Sequence, residues 1–283
     1  MVNTVAYQGT RGAYSHLACL QVFPNAEALA CDDFHSALVM VEEGKADRAM
    51  IPLENSTAGR VEEIYRLLPN TSLSIIGEHF EPVNHCLLAP KGTELADIKE
   101  VASHPQALAQ CQQRLRNLGI RPRAAVDTAV AARQLSEQPQ AGQGAIASSL
   151  AAELYDLAVL RQNFQDVSGN TTRFLVFARE QEHQQYQADE HYITSLLFTV
   201  RNIPAALYKA LGGFATNGVN LIKLESYMDG GTMEASHFHV DMYGHPQQPA
   251  MQHALEELRY FARELRLLGT YPAHHYRHRA DFV

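Results

Sequence analysis

At 283 residues the chain exceeds the roughly 100–200 residues of a single domain, and its 46% hydrophobic and 19% charged residues supply packed cores, which excludes a globally disordered protein. A formal net charge of -8 excludes generic nucleic-acid binding, which needs basic patches to neutralise phosphates, whereas a small anion needs only local donors. Cys19, Cys31, Cys86 and Cys111 are far apart with no CxxC pair, and neither a basic-then-apolar leader nor a membrane-length apolar run occurs, so the expectation is buried reduced thiols, a cytoplasmic location and no membrane association.

The first part alternates short apolar runs with helix-period segments, the pattern of an α/β domain. Val5-Ala6-Tyr7 reads as a strand, and Gly9 and Gly12 allow a tight turn through residues 8–15 that leaves the first N–H groups of a helix facing an anion. Asp33 fits the N-cap of a helix that buries Phe34, Ala37, Leu38 and Val41 and stops near Gly44. A strand over 49–53 then breaks into Glu54-Asn55-Ser56-Thr57-Ala58-Gly59, and a helix over 61–68 follows. Such polar strand ends are the usual ligand location in open α/β sheets.

Strands are expected at 73–77 and 85–89. Ser103-His104-Pro105-Gln106 reads as a helix entrance with Ser103 as N-cap and Pro105 in the first turn, the helix running over 107–118. A strand over 121–126, an Asp127-Thr128 cap, a strand over 144–147 with Ser148-Ser149 behind it, and a short strand at 159–160 complete the series. Gly169-Asn170-Thr171-Thr172-Arg173-Phe174 then enters an apolar run through Phe177, delivering hydroxyls and a guanidinium to the mouth of a buried strand. The order implies two lobes, about 1–80 with 160–178 and about 81–159, with a cleft between them.

Residues 180–191 are polar and rich in glutamine, which marks a linker. Beyond it the pattern is strand (192–200), helix (205–217), strand (221–227), strand (236–243), helix (249–264) and strand (267–271), a ferredoxin-like βαββαβ module. Phe238, Val240 and Met242 alternate with His237, His239, Asp241 and Tyr243, which predicts one buried and one wetter strand face, while Met251, Ala254, Leu255, Leu258, Phe261, Ala262 and Leu265 recur at helical spacing. A sandwich this small leaves a sheet edge or face open, which favours self-association. His274, His275 and His278 lie in a basic aromatic tail over 273–283, with no ligand spacing that supports a metal, so a solvated or interface-packed tail is expected.

Gly12-Ala13-Tyr14-Ser15, Pro52-Leu53-Glu54-Asn55-Ser56, Ser103-His104-Pro105-Gln106 and Thr172-Arg173-Phe174 occur in the order and spacing of the prephenate dehydratase family, and the later module resembles its regulatory ACT domain. The resemblance covers nearly the whole chain. It implies an α/β fold with a two-lobed, periplasmic-binding-protein-like dehydratase domain over 1–179 and an ACT domain over 192–272. It also implies loss of water and carbon dioxide from prephenate to give phenylpyruvate, toward L-phenylalanine, with no metal or cofactor.

Within the resemblance Thr172 matches the catalytic threonine, donating to the leaving hydroxyl, and Glu54, Asn55 and Ser56 join it. Glu54 either protonates that hydroxyl or holds Asn55. Substrate contacts fall to Arg173, Ser103, Gln110, Gly12, Ala13, Tyr14, Ser15 and Phe174; Arg173 either clamps a carboxylate or braces its loop. Asp127 is a cap first, and His104 is a helix-entrance residue before it is a catalyst.

L-phenylalanine is the implied effector, bound near Ala205, Ala206, Leu207, Asn217, Asn220, Leu224, Glu225 and Ser226. Where the family has a Gly-Ala-Leu start and Glu-Ser-Arg-Pro, this chain has Ala205-Ala206-Leu207 and Glu225-Ser226-Tyr227-Met228. Feedback inhibition and a homodimer or homotetramer are expected. Two alternatives stay open, an arogenate dehydratase and a non-catalytic amino-acid sensor.

Overall fold

The computed structural model describes residues 1–180, 186–201, 203–228 and 235–278. Part of the expected linker, at 181–185, and the end of the basic tail, at 279–283, lie outside the described residues.

The chain begins β1 (Thr4–Gln8), α1 (Tyr14–Val22), β2 (Glu27–Cys31), α2 (Phe34–Glu42), β3 (Arg48–Asn55), β4 (Gly59–Arg60), α3 (Glu62–Leu67), β5 (Ser74–Pro82) and β6 (Cys86–Ala89). It continues with β7 (Glu100–Ser103), α4 (Pro105–Gln110), α5 (Gln112–Asn117), β8 (Arg121–Ala124), α6 (Thr128–Glu137), β9 (Gln143–Ala147), α7 (Ser149–Leu154), β10 (Ala158–Arg161) and β11 (Thr171–Ala178). The last elements are β12 (Tyr192–Val200), α8 (Ala206–Thr216), β13 (Leu221–Met228), β14 (Ala235–Tyr243), α9 (Pro249–Phe261) and β15 (Ala262–Pro272). No described helix is long and apolar enough to cross a membrane.

One sheet has the order β2-β1-β3-β11-β5, with β4 on β3, and a second has the order β10-β6-β9-β7-β8. In the second, Leu88, Ala102, Ala145 and Ala147 pack on α6 and α7, while Leu87, Val101 and Ile146 pack on α4 and α5. Both faces are covered, so its central strands are apolar throughout. The four cysteines are free and buried, and burial pushes the Cys19 and Cys111 thiols up to about 12.

Two local expectations are corrected. The helix expected over 107–118 is broken at Cys111 into α4 and α5, and its N-cap is His104, whose ring accepts from Gln106 N–H. Ser103 is not the cap, because it is the last residue of β7 and its hydroxyl donates to the Ile146 carbonyl at 2.6 Å. Strand β2, whose sequence Glu-Ala-Leu-Ala-Cys is poor in β-branched residues, was not anticipated; its pairing with β1 outweighs local preference.

By contact density the chain divides into two units, Met1–Glu62 with His79–Phe174, and Glu63–Glu78 with Leu175–Val283. In the second, β12, α8, β13, β14, α9 and β15 follow the expected order and the sheet is ordered β13-β14-β12-β15, but the helix expected over 249–264 stops at Phe261, and Ala262 and Leu265 lie in β15, held there by pairing with Val200 and Phe198 of β12. Its helix-bearing face buries Phe198, Phe214, Phe238, Val240, Met242 and Leu258. The opposite face, expected to be the wetter one, is instead covered by residues 63–78, and His239 and Asp241 are buried on it. Tyr65 packs on His239 at 5.8 Å, and Arg266 donates to the carbonyls of Leu68, Pro69, Thr71 and Leu73. Gly269 admits no side chain, because a Cβ would collide with the Ile75 carbonyl.

The tail is tied down within the same unit. Arg277 makes a two-pronged ion pair with the buried Glu78 carboxylate at 2.6 and 2.9 Å, and His274 N–H donates to it at 3.2 Å. The expectation of a solvated or interface-packed tail is therefore corrected for residues 273–278.

Candidate active site

The first unit holds a cavity of about 520 Å³ where the ends of β1, β3, β6, β7 and β11 meet the starts of α1, α4 and α6. That size suits a small metabolite. Its apolar wall includes Phe34, Val83 and Phe174, and its polar wall includes Ser15, Asn55, His85, Gln110, Asn170 and Thr172.

Asn55 and Thr172 are locked by hydrogen-bond accounting. The Asn55 side-chain oxygen accepts from Thr57 N–H, the Thr57 hydroxyl and Ala58 N–H, each at 3.0 Å. This Asx turn leaves the amide nitrogen to face β11, where it donates to Thr172 Oγ1 at 2.9 Å. A hydroxyl that accepts in this way keeps its own proton for another acceptor, and Thr172 lines the cavity. Ser56 splices the two loops: its N–H donates to the Thr171 carbonyl at 2.9 Å, and its Oγ accepts from Thr171 N–H at 3.0 Å. It does not line the cavity.

Glu54 and Arg173 lie behind this pair. Arg173 is 2% exposed and donates to the Glu54 carboxylate at 3.1 Å. Of the two roles open to Arg173, the geometry favours the loop brace, since a guanidinium spent on Glu54 and absent from the cavity wall is badly placed to clamp a substrate. Glu54 is committed to the same pair rather than to the cavity.

On the opposite wall Gln110 is the hub. Its Oε1 lies 2.8 Å from His85 Nε2 and accepts from Asn170 Nδ2 at 3.2 Å. His85 Nδ1 lies 3.0 Å from the Tyr14 hydroxyl, which also donates to the Asn84 carbonyl at 2.9 Å. His85 is 2% exposed, and desolvation lowers its pKa against the opposing pull of the Gln110 bond. Burial also holds the Tyr14 phenol well above its ordinary range.

The N-cap of helix α1 is Ala13, whose side chain cannot cap the first N–H groups, and Ala13, Tyr14 and Ser15 line the cavity. Uncapped helical N–H groups attract an anion. Gly12 does not share this task. Its N–H donates to His16 Nδ1, and a Cβ there would press on Ala151 at 3.1 Å, so its positive φ and small size serve packing against α7. Ser103, fully buried and bonded to Ile146, is likewise outside the wall. Asp127 lines the cavity while capping α6 through Ala129 and Val130 N–H.

Sequence reasoning missed His85 and Asn170. Each is a polar residue at the mouth of an apolar run, the same signal that drew attention to Asn55 and Thr172.

The residues expected to hold an effector lie in the second unit and are not gathered within one chain. Ala205 precedes the first turn of α8 and Asn217 follows its last, about 18 Å apart by helical rise. The Asn217 amide is taken by the Gly213 carbonyl and Glu257. Asn220 gives its carbonyl to Tyr243 N–H, and Glu225 pairs with Lys223 at 3.2 Å. Ala206 and Leu207 pack toward the core, whereas Leu224 and Ser226 are exposed on β13. Ala205 itself holds a left-handed conformation, φ 60° and ψ 26°.

The family model described as PDT: Prephenate dehydratase matches residues 5–182. The bifunctional N-acyl-homoserine lactone acylase/prephenate dehydratase of Komagataeibacter europaeus is 45% identical over 96% of this chain and 97% of its own length. Arogenate dehydratase/prephenate dehydratase 1, chloroplastic, of Arabidopsis thaliana is 41% identical over 95% of this chain and 71% of that protein. Among solved structures, prephenate dehydratase in complex with L-Phe from Arthrobacter aurescens superposes with a TM-score of 0.87 at 30% identity, over 99% of this chain and 91% of that one. With its ordered loop motifs, the Asn55–Thr172 pair at a cavity wall and these matches, the chain belongs to the prephenate dehydratase family.

Proposed function

We propose that the chain is a prephenate dehydratase of L-phenylalanine biosynthesis, a lyase that converts prephenate to phenylpyruvate. The ring C–carboxylate bond breaks to release carbon dioxide, its electron pair enters the ring, and the C–O bond to the ring hydroxyl breaks, so that hydroxide with a proton leaves as water. Aromatisation drives the step, and the protein's task is to hold the dianion and ease departure of the hydroxyl. The observation that carries the reading is the Asn55 amide bond to Thr172 Oγ1, which directs the threonine proton toward an acceptor in the cavity. The uncapped start of α1 suits a substrate carboxylate, and Phe174 suits the ring.

The same reading assigns residues 1–179 to a two-lobed, binding-protein-like catalytic domain and 192–272 to an ACT domain that binds L-phenylalanine and inhibits. A relative with L-Phe bound at 30% identity supports this assignment. Because the effector residues are dispersed within one chain, the site is completed between subunits of a homodimer or homotetramer. The protein works in the cytoplasm.

Purified protein incubated with prephenate or arogenate near neutral pH, with and without L-phenylalanine, tests the reading. Phenylpyruvate formation from prephenate above the spontaneous rate, repressed by L-phenylalanine, is expected. Product from arogenate alone would move the substrate to the amino side chain, and no product from either would leave the sensor reading.

A further inference from the structure

The contacts around His85 cannot all be hydrogen bonds of a neutral ring. The single phenol proton of Tyr14 has two acceptors in reach, the Asn84 carbonyl at 2.9 Å and His85 Nδ1, and every contact is made only when it goes to Asn84. His85 Nδ1, 3.0 Å from that phenol oxygen, must then carry a hydrogen to bond it. On the far side of the ring, Nε2 lies 2.8 Å from Gln110 Oε1, an acceptor already receiving Asn170 Nδ2. Nε2 must carry a hydrogen as well. A ring that donates from both nitrogens is an imidazolium.

A neutral ring keeps its hydrogen on Nε2, donating to Gln110 Oε1, and accepts the Tyr14 proton at Nδ1, so that only the phenol bond to the Asn84 carbonyl is given up. The two protonation states of His85 thus differ in where the Tyr14 proton points and leave the Gln110 bonds to His85 and Asn170 in place. Every side chain bonded to the ring is neutral, and burial favours the uncharged form in the ligand-free protein. The titratable or charged groups of the surrounding elements are Tyr14, His104, Arg60 and Asp127 on the cavity wall, with Cys86, Cys111 and Glu81 beside Tyr14. Arg60 is engaged with Glu62 at 2.7 Å.

We propose that His85 takes up a proton as a dianionic ligand enters the cavity, becoming the buried counter-charge of a carboxylate while the Tyr14 phenol turns its proton to the Asn84 carbonyl. The inference rests on the reading of the substrate as a prephenate-like dianion. It makes His85 a sensor of bound charge.

Calorimetric titration of the full-length protein with the ring-saturated analogue of prephenate, which keeps both carboxylates and cannot aromatise, tests it in buffers of low and high ionisation enthalpy at about pH 7.5. The substrate-like carboxylates ionise near pH 4 and do not titrate there. About one proton taken up per site is expected. His85→Gln should abolish the uptake and the exposed His104→Gln should preserve it. In kinetics with prephenate, kcat/KM should fall by up to about tenfold per pH unit as pH rises above the free-enzyme pKa of His85, because the proton must be supplied before the dianion is held; the His85→Gln profile should be flat. If that variant does not fold, the imidazole resonance of wild-type His85 decides, its pKa rising on ligand addition. Equal heats in all buffers, uptake that persists in His85→Gln, or an unmoved resonance overturns the proposal. Should the analogue not bind, the kcat/KM profile decides. Proton uptake without turnover of prephenate would sink the catalytic reading alone, and turnover without uptake would sink this inference alone.

Discussion

Thr172 is a weak acid, and its use to the reaction depends on where its one proton points. Because Asn55 occupies the hydroxyl oxygen, Thr172→Ala should lower kcat by roughly 10²–10⁴, the range of a positioned proton donor, with the melting curve unchanged and Thr172→Ser largely active. Steady-state turnover checks this, and near-wild-type rates would reduce Thr172 to a loop residue. Ala205 gives a second residue-scale test, since an L side chain in left-handed backbone costs about 1 kcal/mol. Ala205→Gly should raise stability to urea by about 0.5–1 kcal/mol, and an unchanged or lower midpoint would show the conformation to be unstrained. Asn55 and Thr172 were readable because each sits where a polar loop meets an apolar strand. The pairing behind them was not: Glu54 and Arg173 are 119 positions apart, and nothing in either loop distinguishes a guanidinium aimed at substrate from one spent on a neighbour.

At the scale of elements, the tail shows how a short segment is held by one buried charge pair. Arg277→Ala deprives the fully buried Glu78 carboxylate of its two-pronged cation, and breaking such a pair costs about 3–5 kcal/mol. Chemical denaturation should show that loss, and a change below about 1 kcal/mol would mean that the His274 N–H and other contacts suffice. Periodicity located most helices and strands, including the β12 to β15 series, where alternation and helical stripes are strong. It failed at β2, which forms by pairing with β1, and at Cys111, where the apolar spacing runs on through a backbone break. Capping was ambiguous for the same reason: Ser103 and His104 are both capable of accepting an N–H, and only the register of β7 beside β9 commits Ser103 elsewhere.

At the scale of the molecule, residues 63–78 belong by contact with the C-terminal unit although they lie early in the chain. Arg266 alone serves four carbonyls of this segment, and Gly269 lies against Ile75. A chain ended near residue 180 should therefore lose more than a regulatory module. It should bind hydrophobic dye and unfold without a cooperative transition, because α3 and the start of β5 would lack the sheet face that covers them. A sharp two-state transition in that truncated chain would show the segment to be self-sufficient.

The Gly269 contact also limits how such a protein can be recombined. A C-terminal module joined only by a linker is exchangeable between relatives at a single crossover, but this sheet is moulded to a strip of main chain encoded more than a hundred codons earlier. Chimaeras that swap residues 175–278 alone would place a foreign sheet against the resident 63–78 strip. Those that carry both stretches from the same parent keep the fit, so in this chain the two stretches should be inherited as a pair.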